Sequence, residues 1–201
     1  MISVGLTGVL ASGKTEAARL FAKLGAKTFD ADLAAKRLIR KGQPLQRAAV
    51  KVFGRQFLKS NGELDRKKLA QYVFGRPREL KKLNILIHPG VIFESLCFVR
   101  QYRHRKVLIV LDVPLLFESR MENLVDFTVV VRSTKRRIFA RAAARGLSPA
   151  LTRKILSAQW PMERKAKAAD FVIENDGDLR KLRSEVSRVY RQIIGRHGGR
   201  L

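Results

Sequence analysis

The sequence is poor in the residues that form disulfides and metal clusters. Its 201 residues include one cysteine, Cys97, and three histidines. A single cysteine excludes a disulfide within the chain and any multi-cysteine metal site. We expect Cys97 to be a small core residue on a helix. The apolar N-terminal segment lacks a basic start and contains Lys14, which argues against a signal peptide. No run approaches the ~18 apolar residues that cross a bilayer, so we expect no membrane partner.

Acidic residues are also scarce. The chain has 42 Lys+Arg against 17 Asp+Glu, which gives a net charge of +25. Such an excess implies a polyanionic partner, either a nucleotide, a nucleic acid or an anionic membrane. The charge is spread along the chain, although the stretch from Arg180 to Leu201 is strongly basic. The sequence contains no helix-turn-helix, zinc-finger or aromatic RNA-binding motif. We therefore expect non-specific polyanion binding as a by-product, in a cytoplasmic monomer or small homo-oligomer.

Strand-like and helix-like segments alternate, which favours a single α/β domain over residues 1–201 with a five-stranded parallel sheet flanked by helices. Strands are predicted near 2–7, 27–30, 107–112, 127–132 and 170–174. Residues 33–105 are predicted to be mostly helical, with breaks at GQP, SNGE, GRP and HPG, and to form an insertion over the sheet. Residues 133–150 are predicted to form a lid. Ligands of such folds bind beyond the carboxyl ends of the strands.

A phosphate-binding loop follows the first strand. Residues 8–15 match G-x-x-x-x-G-K-[ST] between an apolar strand and a helix, which is the context that the motif requires. Glycines let backbone N–H groups approach phosphate oxygens, and the helix directs its positive end at the anion. Lysine supplies a charge to the outer phosphates, and the threonine hydroxyl can bind Mg²⁺. The predicted ATP-binding residues are Gly8, Val9, Leu10, Ala11, Ser12, Gly13, Lys14 and Thr15.

Several charged residues are candidates for the rest of a phosphoryl-transfer site. Asp32 follows the second strand and is suited to accept the proton of a hydroxyl nucleophile, whereas Asp30 fits a helix N-cap better. Asp112 ends the third strand, where a carboxylate can hold Mg²⁺ directly or through water, or simply end the strand. No N-K-x-D element for guanine is present, and the chain is short for a motor or helicase. A small-molecule kinase fits best.

Beyond the loop, the sequence resembles the dephospho-CoA kinase family along nearly its whole length. The family's opening G-L-T-G is similar to residues 5–8, and its D-A-D to residues 30–32. Further similarities are G-E-L-D-R at residues 62–66 with Phe74, H-P at residues 88–89 and P-L-L-F-E at residues 114–118. The closing pattern is similar to Gln159, Ala169-Asp170, Ile173 and Asn175. The loop departs from the family in carrying Val9, Leu10 and Ala11 where glycine is more usual.

The resemblance implies transfer of a phosphoryl group from Mg-ATP to the ribose 3′-hydroxyl of dephospho-CoA. It implies catalytic roles for Asp32, Lys14 and Arg141. It places Arg137 and Arg141 in the lid and Asn175 near the adenine of ATP. It also implies substrate contacts by Arg66, His88 and Leu115, although Arg66 and His88 could instead be structural. Two alternatives stay open: a kinase for another small alcohol, and a nucleic-acid-binding protein that uses ATP structurally.

Overall fold

A computed structural model describes residues 1–196 of the chain. That range contains five strands and nine α-helices. The strands are β1 (Ile2–Thr7), β2 (Lys27–Asp30), β3 (Leu108–Asp112), β4 (Phe127–Arg132) and β5 (Phe171–Glu174). The helices are α1 (Lys14–Lys23), α2 (Ala31–Leu38), α3 (Pro44–Phe53), α4 (Arg66–Val73), α5 (Pro77–Gln101), α6 (Lys135–Ala144), α7 (Pro149–Ser157), α8 (Met162–Ala168) and α9 (Leu179–Arg196).

The strands form one parallel sheet in the order β2-β3-β1-β4-β5. β1 lies in the centre, and all of its residues are buried. Even its polar residues Ser3 and Thr7 are buried, because helices cover both faces of the sheet. The predicted fold class is confirmed, and each strand begins within one residue of its predicted start. The register places Asp30 beside Asp112, so polar strand ends meet at one edge.

Two hydrophobic clusters cover the two faces of the sheet. On one face, α1 and α9 pack their apolar sides against side chains such as Val4 and Val110. On the other face, α2, α5 and the segment after β3 pack against Ile109 and Leu111. The phosphate loop and the strand ends are therefore mounted on a core fixed from both sides.

The helical insertion has a core of its own, with buried residues that include Phe53, Phe57 and Leu69. The predicted break at HPG is wrong, because α5 runs without interruption from Pro77 to Gln101. A Cβ at Gly90 would lie 3.0 Å from Leu38 Cδ1. Gly90 therefore permits close packing of α5 on α2 and does not end a helix.

One expectation about α5 is also wrong. Cys97 is exposed, because it lies on the side of α5 that faces away from the core, next to exposed Phe93 and Leu96. By length and composition, α5 also qualifies as a helix able to cross a membrane, with a mean hydropathy of 1.4 over 18 residues. The expectation counted uninterrupted apolar runs, whereas α5 mixes apolar residues with a few polar ones. Its other sides pack into the two clusters that α5 shares with the sheet and the insertion.

Candidate active site

The phosphate loop connects β1 to α1 and needs glycine at two positions. A Cβ on Gly8 would overlap the Ser12 hydroxyl and lie 2.9 Å from the Val131 carbonyl oxygen. Gly13 has a φ of 99°, and a Cβ there would overlap the amide of Asn175. The Ser12 Oγ is buried without a hydrogen-bond partner among the described residues. An unsatisfied hydroxyl donor in a cradle that side chains would fill suits an anionic ligand.

Three side chains from the C-terminal third of the chain hold this loop from behind. Leu10 N donates a hydrogen bond to Gln159 Oε1 at 2.9 Å. Asn175 Nδ2 donates to the Ser12 carbonyl at 2.7 Å, and Arg141 Nη1 donates to the same carbonyl at 3.1 Å. Asn175 is buried, and its side chain supports the loop backbone. Supported from behind, the loop N–H groups are oriented before the phosphates bind.

The three apolar loop residues that depart from the family pattern pack against the lid. Val9 and Ala11 are buried in one cluster with Ile138 and Ala142 of α6, and Leu10 lies at its margin. Ala11 has a φ of 57°, a left-handed backbone conformation that costs a non-glycine residue about 1–2 kcal/mol. With these residues the loop backbone is less free than a glycine-rich loop would be, and the loop gains hydrophobic contact with α6.

Lys14 and Asp112 form an ion pair at the carboxyl ends of the central strands. Asp112 is buried, and its burial raises the pKa of the carboxyl, while nearby Lys14 opposes that rise. Thr15, the other predicted Mg²⁺ ligand, is exposed on the wall of the cavity in front of the loop. No cluster of three or more His, Cys, Asp or Glu exists within residues 1–196. Mg²⁺ needs only one or two carboxylates when phosphates supply its other ligands, so Thr15 and Asp112 fit it.

The two aspartates at the start of α2 occupy different environments. Asp30 is the N-cap, and its Oδ1 accepts a hydrogen bond from Leu33 N at 2.8 Å. Asp32 is exposed and lines the cavity that the phosphate loop also lines. A carboxylate that is not used as a cap is available to a substrate hydroxyl, which fits the role predicted for Asp32.

The cavity in front of the loop has a volume of about 460 Å³. The loop forms one wall, and the opposite wall comes from the insertion, including Phe74, Leu83 and His88. Leu115 also lines it, whereas Arg66 is exposed at the start of α4 and does not. Burial lowers the pKa of His88, and Glu118 partly opposes this shift. The lowered pKa of His88 favours the neutral imidazole at the cavity wall.

Arg137 and Arg141 each donate hydrogen bonds to backbone carbonyls. Arg137 Nη1 donates to the Gly177 carbonyl at 3.1 Å, and Arg141 Nη2 donates to the Asn175 carbonyl at 3.0 Å. Arg145, one helical turn beyond Arg141, is exposed and lines the cavity. The family resemblance implied roles for Arg137 and Arg141 only, and a resemblance does not tell which arginine already has partners.

Sequence reasoning missed Lys165, which is fully buried in α8. Its Nζ lies 2.9 Å from Glu118 Oε1 and donates to the Pro114 carbonyl at 2.8 Å. Glu118 also accepts a hydrogen bond from Trp160 N at 2.7 Å. Burial lowers the pKa of Lys165, and Glu118 opposes this shift. In a chain with so many lysines, only the tertiary structure distinguishes Lys165 from a solvated one.

The five-stranded parallel sheet flanked by helices, with a phosphate-loop motif between β1 and α1, defines the chain as a P-loop kinase of the small-molecule type. The sequence profile of one such family, dephospho-CoA kinase, matches residues 2–181. The chain belongs to this family, which catalyses the last step of coenzyme A biosynthesis.

Two curated relatives illustrate the likeness. The chain is 37% identical to the dephospho-CoA kinase of Geobacillus kaustophilus over 95% of this chain and 96% of the relative. It is 33% identical to that of Enterococcus faecalis over 96% of this chain and 98% of the relative. Both alignments span the phosphate loop, the insertion and the lid together.

Solved structures agree with the fold. A Thermus thermophilus protein superposes with a TM-score of 0.77 at 32% identity, over 95% of this chain and 97% of the other. The dephospho-CoA kinase of Campylobacter jejuni superposes with a TM-score of 0.68 at 26% identity, over 95% and 96%. A shikimate kinase from Acinetobacter baumannii shares the fold alone, with a TM-score of 0.54 at 13% identity over 98% and 94% of the two chains.

Proposed function

We propose that this protein transfers the γ-phosphoryl group of ATP to the ribose 3′-hydroxyl of dephospho-CoA, giving coenzyme A and ADP. The observation that carries the proposal is the single cavity that the phosphate loop and Asp32 line together. In the reaction, the bond between the γ-phosphorus and the bridging oxygen breaks. A bond from the 3′-oxygen to the γ-phosphorus forms, and the hydroxyl proton passes to Asp32.

The phosphate loop binds the phosphoryl donor, ATP. Its N–H groups bind the phosphates, and Lys14 exchanges Asp112 for the outer phosphates when ATP binds. Thr15 and Asp112 would hold Mg²⁺, which would neutralise charge on the phosphates. Arg141 fixes the Ser12 carbonyl, and Arg145 extends the positive potential along the cavity wall. The prediction that Asn175 contacts adenine stays a prediction, as does the direct contribution of Arg137.

Side chains of the insertion and of the segment after β3 bind the acceptor. Asp32 orients the 3′-hydroxyl, and His88 and Leu115 line the space that the nucleoside would occupy. Apolar side chains such as Phe74 and Leu83 suit a purine face. Substrate contact by Arg66 requires movement of α4, because its side chain is exposed outside the cavity.

A panel of acceptors tests this proposal. The purified protein with Mg-ATP should release ADP with dephospho-CoA and far less with adenosine or shikimate. Phosphorus NMR of the product should place the new phosphate on the 3′-oxygen. The Lys14→Ala variant is the negative control, since it loses the charge that contacts the outer phosphates. Faster turnover of adenosine or shikimate than of dephospho-CoA would contradict the assignment.

The surplus charge supports a separate and weaker proposal, that the surface binds polyanions without sequence preference. On α9, Arg180, Lys181, Arg183 and Arg191 are exposed, while Arg188 is paired with Glu185. Arg200, part of the same basic stretch, lies outside the described residues. Binding of labelled RNA should weaken steeply as salt rises, and nuclease treatment should leave the kinase activity intact.

Cytoplasmic location and a monomeric or small oligomeric state stay predictions.

A further inference from the structure

One side of helix α5 is apolar and uncovered. Ile85, Phe93 and Leu96 are 64%, 68% and 44% exposed, and Pro89 between them is exposed as well. Their spacing of three and four residues places all four on one side of the helix, where they form an apolar row about 16 Å long. Scattered apolar side chains are usual on a protein surface, whereas a continuous row indicates contact with another molecule.

Exposed cations lie at both ends of the apolar row. Arg78 and Lys82 precede it and Arg100 follows it, at positions that continue the same helical spacing. Glu79 and Glu94, the two acids of α5, are already paired, the first with Lys82 and the second with a cation of α2. Within residues 1–196, Arg78 and Arg100 form no salt bridge. The row therefore combines apolar surface with positive charge that no acid neutralises.

The apolar row faces away from the catalytic cavity. Ile87 and Val91, which line that cavity, lie about half a turn around α5 from the row. Both also pack in the cluster between α5 and the sheet. A molecule bound to the row therefore leaves the cavity accessible, and substitutions in the row do not touch the reacting groups.

Charge decides which molecule suits the row. A second copy of this chain does not, because two rows laid on each other would bring cations against cations in either orientation. An acidic protein would use only the few cations beside the row, whereas the chain carries a net charge of +25. An anionic bilayer presents headgroup phosphates above hydrocarbon, so one surface matches both the charge and the exposed apolar side chains.

We propose that the apolar row docks this protein on the surface of anionic phospholipid membranes. Phe93 and Leu96 insert between the headgroups, and Arg78 and Arg100 contact the lipid phosphates. α5 lies in the plane of the interface and does not cross the bilayer, because its other sides stay packed against the sheet and the insertion. The proposal differs from the sequence-based expectation of no membrane partner, which considered only segments that span a bilayer.

The single cysteine of the chain gives a direct probe of this orientation. Cys97 is exposed beside Leu96, so an environment-sensitive fluorophore attached to it reports on the row. Its emission should shift to the blue with vesicles of phosphatidylcholine and phosphatidylglycerol, and not with phosphatidylcholine alone. The control label is at Ser184→Cys in a Cys97→Ser background, since Ser184 is exposed on α9, which packs on the opposite face of the sheet. That label should shift far less.

Paired substitutions separate insertion from general charge attraction. Phe93→Ser with Leu96→Ser should weaken binding to the anionic vesicles about tenfold, because two side chains lose their burial in hydrocarbon. Arg180→Gln with Arg183→Gln removes two exposed charges from α9 and should change binding by no more than about twofold. Vesicle co-sedimentation measures both, and matching melting temperatures would show that the variants are folded.

Three results would overturn the proposal. The first is an absence of vesicle binding by the wild-type protein, including the case in which sedimentation shows a dimer that the serine variant dissociates. The second is a larger spectral shift at the α9 label than at Cys97, which would place another surface on the membrane. The third is equal binding by the wild type and the serine variant, because binding would then reflect only the non-specific attraction of a basic surface to polyanions.

Discussion

The phosphate loop and the helical insertion face each other across one cavity, and they are built differently. The loop presents backbone atoms, and side chains at positions 141, 159 and 175 hold it by hydrogen bonds. The insertion presents side chains on helices, many of them half-exposed, around a small core of its own. A backbone site demands glycine and a fixed frame, so a short motif identifies it. A side-chain site can be assembled from many residue types, so no short motif does.

The largest effect should come from removing the acceptor base. Asp32→Asn should lower kcat on the order of 10²–10⁴-fold, because a general base acts mainly in the transition state. Binding of ATP, measured by calorimetry, should be nearly unchanged. Asp30→Asn is the matched control, since asparagine retains the N-cap bond to Leu33 and the cavity wall is untouched. If both variants kept near-normal kcat, Asp32 would be structural like its neighbour.

A large loss of stability should follow from breaking the buried ion pair between Lys165 and Glu118. Lys165→Met leaves Glu118 buried without its cation, which should lower the free energy of unfolding by about 3–5 kcal/mol. The double variant Lys165→Met with Glu118→Gln should recover part of that loss, because no uncompensated charge remains. Urea denaturation of the four proteins in the cycle gives the coupling energy. Additive losses would show that the two groups do not interact.

The donor side should respond selectively to loss of a support behind the loop. Asn175→Ala removes the amide that holds the Ser12 carbonyl and should raise the KM for ATP about tenfold, the cost of one buried hydrogen bond. The KM for dephospho-CoA should stay within about twofold, since Asn175 lies behind the loop and not on the insertion. Steady-state kinetics with each substrate varied in turn makes the distinction. Equal rises in both KM values would show that the two sides are not independent.

The smallest effect concerns the strained loop residue. Ala11→Gly relieves a left-handed conformation worth about 1–2 kcal/mol. The change also removes a buried methyl group worth about 0.8 kcal/mol and adds glycine's entropy cost of about 0.5–1 kcal/mol. These contributions nearly cancel, so the free energy of unfolding should change by less than about 1 kcal/mol. A thermal melt measures it, and a larger gain would mean that the contact with the lid contributes little.

The contrast between the backbone site of the loop and the side-chain site of the insertion explains which features could be predicted from the sequence alone. The buried strands and the loop were predictable because continuous apolar runs and a glycine-lysine motif follow directly from backbone requirements. The cap at Asp30 was also predictable, since capping is local. The continuity of α5 through Pro89 was not, because packing of Gly90 on Leu38 outweighs the local helix-breaking tendency.

Within the site, the residues that sequence reasoning ranked lower or missed are those whose partners are distant in the chain. Lys165 forms its buried ion pair with Glu118, which lies 47 positions away in the chain. Asn175 donates a hydrogen bond to the Ser12 carbonyl, 163 positions away. No local pattern encodes such contacts. Arg66 belongs to a recognisable motif, and its side chain still lies outside the cavity, while Asp65 of the same motif caps α4.

The hydrogen bond from Asn175 to Ser12 has a consequence for how the protein is made. The phosphate loop leaves the ribosome before its supporting groups at positions 141, 159 and 175, which follow their loop partners by 129 to 163 residues. A nascent chain that ends before Asn175 therefore carries the nucleotide motif without the groups that orient it. Competence to bind ATP should appear late and abruptly during synthesis, when β5 joins the sheet beside β4 and brings Asn175 to the loop.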